Sequence, residues 1–374
     1  WTGSEWDHDM LVRGLPRSEQ NHATNGVVLD EQASVLYISQ GGMSGAGAPN
    51  DKFAFTPEYA LSAAVLEIDL GQLESNYQLK DAANSDAQYL YDLPTVDESD
   101  GVFGGEDGQD MAEFAPNDPV DVYAPGFRNS YDLTLTEDGQ LYATDNGVGG
   151  GWGLPPVNEG PEGVCTNEPN SGGSEDPDQL HLVTEGFYGG HPNPIRANPD
   201  GAGLYEPDGT QYFDFDSSNT PVPFSEADAR QCDYLQPGQE DGALTTFGGS
   251  TDGIDEYTAS NFGGAMQGDL LAAQFSGGDV VHRIQLSPDG TAVEEKTQLF
   301  SGFGSSPLDV HAQSDGGPFP GTVWVATFGS DKVQVFEPTD YDGGSQQCTG
   351  DDDPSLDEDG DGFDNADEID AGTD

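Results

Sequence analysis

Three groups of residues have the types and spacing to do chemistry. The first lies near the end of the chain. Residues 357–368 read Asp-Glu-Asp-Gly-Asp-Gly-Phe-Asp-Asn-Ala-Asp-Glu. This meets the twelve-residue Ca²⁺ loop pattern at each required position. Asp357, Asp359 and Asp361 alternate, so their carboxylates converge on one ion, and Gly362 permits the sharp turn. Phe363 offers its backbone carbonyl, Asn365 stands at the position often bridged by water, and Glu368 closes the site with both oxygens. A solvated acidic run is the plain alternative, and the Gly and Glu spacing favours the ion.

The second group is His22, in Asn21-His22-Ala-Thr-Asn25-Gly26 just before a strand. An imidazole there suits a general base near neutral pH. The third is Arg128-Asn129, after Gly126-Phe127 and again before a strand. A guanidinium beside an amide suits a two-point grip on a carboxylate. Taken singly, Arg128 also reads as a surface ion pair and His22 as a turn residue. His191, between Gly190 and Pro192 with Pro194 close by, reads as a rigid turn rather than a metal ligand. His181 and His282 alternate with apolar strand neighbours and are expected on solvent faces. The Gly147–Gly153 run lacks the Lys and the βαβ setting of a phosphate loop. No nucleophile elbow or zinc spacing appears.

Short strands separated by Gly and Asp turns must position these residues. Val27–Leu29, Leu36–Ser39 and Val65–Asp69 are followed by Leu133–Leu135, Leu141–Thr144 and Gln179–Val183. Leu270–Phe275, Val280–Leu286, Leu308–His311, Val323–Thr327 and Val333–Phe336 come later. The alternation and the Asp-Gly turns predict antiparallel hairpins. No long helical period is present, and Glu58–Leu66 reads as a short helix or a strand. The strand–turn–strand unit recurs in four modules, near 22–70, 120–190, 244–297 and 302–338. That predicts an all-β fold, a β-propeller with long loops, incomplete as a six-bladed ring, over residues 1–338. Stretches 71–119 and 191–243 read as large loops between blades, 339–356 as an acidic linker and 357–374 as a calcium-binding tail. A β-sandwich with long loops is the alternative architecture.

The 374 residues hold 70 Asp and Glu against 10 Lys and Arg, a formal charge of −60. A surface this anionic excludes nucleic acid as a partner, because phosphate binding needs Lys and Arg. The 18 Phe, 14 Tyr and 4 Trp supply a core and argue against disorder. Depletion of Lys along the whole chain points to a halophilic protein of archaeal acidic type, whose self-repulsion is screened by salt. An acidic Ca²⁺-loaded secreted protein is the other reading. No apolar run is long enough to span a membrane. Three cysteines leave the pairing open. The loop settings favour Cys165 with Cys232, and Cys348 single. An extracellular or cell-surface location is expected.

In order and spacing, several motifs resemble the soluble quinoprotein glucose/sorbosone dehydrogenases. They are Leu15-Pro16, Asn21-His22, Gly26-Val-Val, Leu36-Tyr-Ile-Ser39, Gly126-Phe-Arg128-Asn129, Leu141-Tyr-Ala-Thr-Asp-Asn146-Gly147 and Gly186-Phe-Tyr188-Gly-Gly-His191-Pro192. Recognisable motifs cover residues 9–190, and blade-like pattern continues to 338; separately, the tail Ala366-Asp-Glu-Ile-Asp-Ala-Gly-Thr-Asp374 resembles the DxDxDG repeats of thrombospondin type 3 and dockerin-like stalks. The resemblance implies a six-bladed propeller that binds pyrroloquinoline quinone (PQQ) and Ca²⁺ on its top face. It implies His22 as the base that takes a sugar or alcohol hydroxyl proton. It implies Arg128 and Asn129 as cofactor contacts, the carbonyls of Gly147 and Val148 as Ca²⁺ ligands, and Tyr188 near a second Ca²⁺.

The chain also departs from that family's pattern. Asp178-Gln179 stands where the family has Asp-Glu, Asn146-Gly147-Val148 replaces His-Gly-Pro, and the later blades offer few cations. Only 21 residues precede His22, where the family has a full blade or more. Two functions therefore follow as expectations. One is a PQQ-dependent sugar or alcohol dehydrogenase. The other is a non-catalytic, calcium-stabilised propeller in a surface, filament or adhesion assembly built with other chains.

Overall fold

A computed structural model describes residues 9–81, 88–96, 111–235, 237–239, 242–330 and 332–340. Three four-stranded antiparallel sheets and one three-stranded sheet follow one another along the chain. The first blade is Thr24–Asp30, Val35–Gln40, Ala64–Asp69 and Val120–Pro125, in that order across the sheet. The second is Ser130–Leu135, Leu141–Asp145, Asp178–Val183 and Ala243–Phe247. The third is Thr251–Tyr257, Asp269–Gln274, Val280–Leu286 and Val293–Ser301, and the fourth is Ser306–Ala312, Val323–Phe328 and Lys332–Phe336. The leading strands of successive blades lie side by side, the arrangement of a β-propeller.

The second strand of each blade shows why the sequence folds this way. Leu36-Tyr-Ile-Ser39, Leu141-Tyr-Ala-Thr144, Leu270-Leu-Ala-Ala273 and Val323-Trp-Val-Ala326 occupy equivalent places. Alternate side chains of a strand point to opposite faces, so a strand buried on both sides reads as nearly continuous apolar sequence. Leu141 and Ala143 pack with Val65 and Ala124 of the first blade, while Tyr142 packs with Ile254, Leu270 and Ala272 of the third. Leu271 and Ala273 then meet Val310, Val323 and Val325 of the fourth.

Each leading strand carries a register shift near its start: Thr24/Val27, Ser130/Asp132, Thr251/Ile254 and Pro307/Asp309. Such bulges re-aim side chains at the mouth of a sheet. Blade contact there requires glycine. A Cβ on Gly26 would lie 2.7 Å from Asp132 Cα, and one on Gly253 would lie 2.5 Å from Asp309 Cα.

Two expectations about organisation are corrected. Stretches 71–119 and 191–243 are insertions within blades rather than loops between them. The strand after each insertion returns to pair with the blade's third strand: Val120–Pro125 with Ala64–Asp69, and Ala243–Phe247 with Asp178–Val183. Glu58–Leu66 is not one element either. Residues 58–63 form a loop and Ala64–Asp69 is the strand. The first insertion supplies Gln88–Asp92, which pairs in parallel with Met10–Arg13. Val12, Leu15, Tyr91 and Leu93 cover Ile38, Leu66 and Ile68 on the outer face of the first blade.

The second insertion is tied to the 146–177 connection of the same blade by a Cys165–Cys232 disulfide that closes 67 residues of chain. A loop of that length gives about 4 kcal/mol of stabilisation in the chain-entropy account. Cys348, the acidic linker beyond Asp340 and all of 357–374 lie outside the described residues. His181 and His282 are not on solvent faces. His181 is wholly buried between Phe127 and Phe187, and His282 is half-buried beside Gln274 and Phe247. Both faces of a propeller blade are covered, so alternation with apolar neighbours does not mean exposure here.

Candidate active site

A cavity of about 570 Å³ opens where the first three blades begin. It is lined by His22, Arg128, Asn129, Asn146, Gly147 and Val148, with Trp152, Glu175, Asp176 and Asp178 on the rest of the wall. The structure therefore brings together five of the positions singled out in the sequence: His22, Arg128, Asn129, Gly147 and Val148. Each sits just before or just after a blade strand, where the register shifts turn side chains toward the mouth.

His22 is 2 % exposed. Its Nδ1 lies 3.0 Å from the Gly42 carbonyl oxygen, which can only accept, so Nδ1 carries the proton. Nε2 is then the nitrogen with the free lone pair. Burial, with Arg128 as a lesser cause, pushes the His22 pKa well below the usual imidazole value, against the bond to Gly42. The ring is neutral at pH 7, as a base must be. Its face rests on Phe53, ring centroids 5.0 Å apart, and Phe53 meets Trp152 edge-on.

Arg128 is held by backbone. Its Nε donates to the Gly45 carbonyl at 2.9 Å and its Nη1 to the Asn146 carbonyl at 3.3 Å. Burial lowers its pKa from the ordinary arginine value, opposed by Asp145 and Asp178. The plain reading of Arg128 as a surface ion pair fails: no carboxylate lies in ion-pair contact with it among the described residues. Asn129 donates from Nδ2 to Asn146 Oδ1 at 3.0 Å and accepts on Oδ1 from Asn25 at 3.2 Å.

Sequence reasoning did not read Asp145 or Asp178 as the carboxylates that hold this arrangement. Asp145 accepts the backbone N–H groups of Arg128 and Asn129 at 3.1 and 2.8 Å. Asp178 accepts those of Gly147 and Thr251 at 2.9 and 2.5 Å. Burial pushes Asp145 up to about 6 and Asp178 up to about 7, against those bonds. Asn146 ties the second blade to the third through the Thr251 carbonyl at 2.9 Å. The available signal was positional, since Asp145-Asn146 ends one strand and Asp178 begins another.

Behind the cavity wall, His191 Nε2 lies 2.9 Å from Glu58 Oε1, both side chains buried. The turn around His191 is thus pinned by a buried acid. Tyr188 is buried and donates its hydroxyl to the Asp233 carbonyl at 2.8 Å. Among the described residues, no three His, Cys, Asp or Glu side chains converge as a metal site. Gln179 Oε1 is buried without a partner. It borders a small polar cavity behind Arg128, together with Gly147, Val148, Gly189 and His191.

No protein-family model matches the sequence, and no curated protein matches it. Solved structures are similar to this chain at low identity. A glucose dehydrogenase is 18% identical over 85% of this chain and 64% of its own, with a TM-score of 0.42. The apo form of the soluble aldose sugar dehydrogenase of Escherichia coli is 14% identical over 85% and 65%, with a TM-score of 0.42. The holo PQQ domain of pyranose dehydrogenase from Coprinopsis cinerea is 14% identical over 87% and 72%, with a TM-score of 0.44. The chain thus spans less than two thirds of the length of the first two.

Proposed function

We propose that this chain carries the active face of a PQQ-dependent sugar or alcohol dehydrogenase, working outside the cell in concentrated salt. The observation that carries the reading is the neutral, backbone-oriented His22 beside Arg128 and Asn129 on one cavity of about 570 Å³.

The residues present fit the cofactor. PQQ is a flat tricarboxylate, and Arg128 with the amides of Asn129 and Asn146 gives one wall suited to carboxylate and carbonyl oxygens. Glu175, Asp176 and Asp178 line the same cavity. A trianion beside that wall needs a cation, and the carbonyls of Gly147 and Val148 would supply hard oxygen donors of the kind Ca²⁺ takes, while the three carboxylates do not converge on one point. Tyr188 and residues 357–368 are assigned to further Ca²⁺ on their sequence pattern alone.

When bound, the quinone would supply a two-electron acceptor for the hydride of the substrate C–H, and a Ca²⁺ ion would supply Lewis-acid polarisation. The protein supplies orientation and a proton acceptor. Arg128 cannot swing, because backbone carbonyls hold its guanidinium. Gly42 fixes the His22 ring, so Nε2 is the atom that would take the proton of a substrate hydroxyl. Trp152 offers an aromatic face to the ring of a sugar at the mouth.

The test is a titration of PQQ into the Ca²⁺-treated protein in molar KCl, followed by dye reduction with a panel of sugars. Saturable one-to-one binding is expected, retained in His22→Ala, with turnover in that variant reduced at least 10²-fold. Absence of binding, or full turnover in His22→Ala, overturns the reading.

A further inference from the structure

One peptide unit lies between His22 and a buried carboxylate. The Gly42 carbonyl accepts from His22 Nδ1 at 3.0 Å, and the N–H of the same peptide, on Met43, donates to Glu58 Oε2 at 2.8 Å. We propose that Glu58 acts through this peptide as the positioning residue for His22, holding its ring in the Nδ1–H tautomer with Nε2 free. The inference rests on the reading of His22 as the base.

Three observations support it. Glu58 is wholly buried and ionised. Burial pushes its pKa up, but hydrogen bonds from His191, Ser44 and Ser62 outweigh that and leave it below the ordinary value. Ser44 Oγ and Ser62 Oγ lie 2.5 and 2.6 Å from its oxygens, so the carboxylate cannot rotate away from Met43. An N–H that donates to a charged acceptor polarises its own peptide, which makes the carbonyl at the other end a better acceptor.

The turn has no freedom to adopt another plane. The Gly42 N–H donates to the Arg128 carbonyl at 2.8 Å, and the Gly41 N–H to that of Ala23 at 2.9 Å. A Cβ on Gly41 would lie 2.8 Å from Asn129 Oδ1 and 3.0 Å from His22 Cβ, while one on Gly42 would lie 3.1 Å from Glu58 Oε1. The two glycines thus let the backbone itself fill the space between imidazole and carboxylate. A His–carboxylate pair with a peptide inserted keeps the orienting effect while placing the negative charge one peptide away from the ring. Neutral His22 is thereby retained, where a direct carboxylate contact would favour its protonation.

The test uses the whole protein, without cofactor, labelled with ¹⁵N at its 6 His and 4 Met. Long-range ¹H–¹⁵N spectra at pH 7 read the tautomer of His22, and the amide spectrum reads Met43. The wild type is expected to show His22 as the Nδ1–H form and a Met43 amide proton shifted strongly downfield. Glu58→Gln is expected to weaken the bond from His22 Nδ1–H to the Gly42 carbonyl, shifting the His22 nitrogens and the Met43 amide proton together, and to lower kcat of the loaded enzyme about ten-fold at unchanged KM, less than the roughly 10²–10⁴-fold that a general base itself contributes. A Glu58→Gln protein whose Met43 amide proton shifts while the His22 nitrogens stay unmoved overturns the proposal, whatever its melting temperature.

Should that variant fail to fold, Ser44→Ala removes a neutral donor from Oε1 and leaves the charge on Glu58. The Met43 amide proton and the His22 nitrogens are then expected to shift together. A Met43 shift with His22 unmoved overturns the coupling. The fate of the base reading is separate, since it falls on His22→Ala turnover and not on these spectra.

Discussion

Asp132 stands on the leading strand of the second blade, where its Oδ2 accepts the Ile254 N–H at 3.0 Å from the third blade. Its other side meets Gly26 of the first blade. Burial pushes its pKa from 3.8 to about 7, opposed by the bonds from Ile254 and Leu133 and reinforced by Asp309 and Asp255. Between pH 4 and pH 7 the folded chain therefore holds a proton that the unfolded chain releases. The sign follows from linkage: this contribution to stability falls as pH rises through that window. A shift of roughly 3 units is ~4 kcal/mol at 1.36 kcal/mol per unit, and partial solvent access reduces it to about 2–4 kcal/mol. Asp132→Asn keeps an acceptor for Ile254 and removes the ionisation. The variant is expected to gain 2–4 kcal/mol over the wild type, an order-of-magnitude figure, between pH 4 and pH 8. Urea unfolding in molar KCl at both pH values measures the gap. A gap that does not change with pH, or a variant weaker at pH 8, would refute the account of a carboxylate strained by burial between blades.

Two further outcomes follow from the same physics. His181 is buried with neither ring nitrogen hydrogen-bonded, and burial pushes its pKa down to about 3. His181→Phe, between the rings of Phe127 and Phe187, is expected to stabilise by about 1–3 kcal/mol at pH 7. That advantage grows as pH falls below 6.5, because only the unfolded histidine then takes up a proton; thermal melts at pH 7 and 5 check both points, and a destabilised variant sinks the claim. The net charge of −60 predicts a melting temperature that rises steeply from low salt into molar KCl, and a flat response would remove the halophilic reading.

Much of the fold was written in local pattern. Tyr37, Tyr142, Leu271 and Trp324 recur at one place in each module because strand period and blade stacking impose the same demand four times. The asparagine and glycine turns around His22 and Arg128 placed both at strand entrances, where a propeller gathers its ligand contacts. Chain order is what sequence could not convert into space. Val120–Pro125 and Ala243–Phe247 read as the starts of new modules, yet each returns across a long insertion to complete the blade before it. Pairing of that kind is decided by the unsatisfied edge of the third strand, which has no signature in the returning segment.

The sequence by itself determined the acidic surface, the β repeat and the residue types at the cavity mouth, because these depend on composition and on periods of two. Only the tertiary structure decided that Glu58 and His22, 36 positions apart, share one peptide, that Asp132 bridges three blades, and that His181 is buried rather than exposed. Each of those depends on what covers a strand's second face. That is a property of the neighbouring blade, and no local pattern carries it.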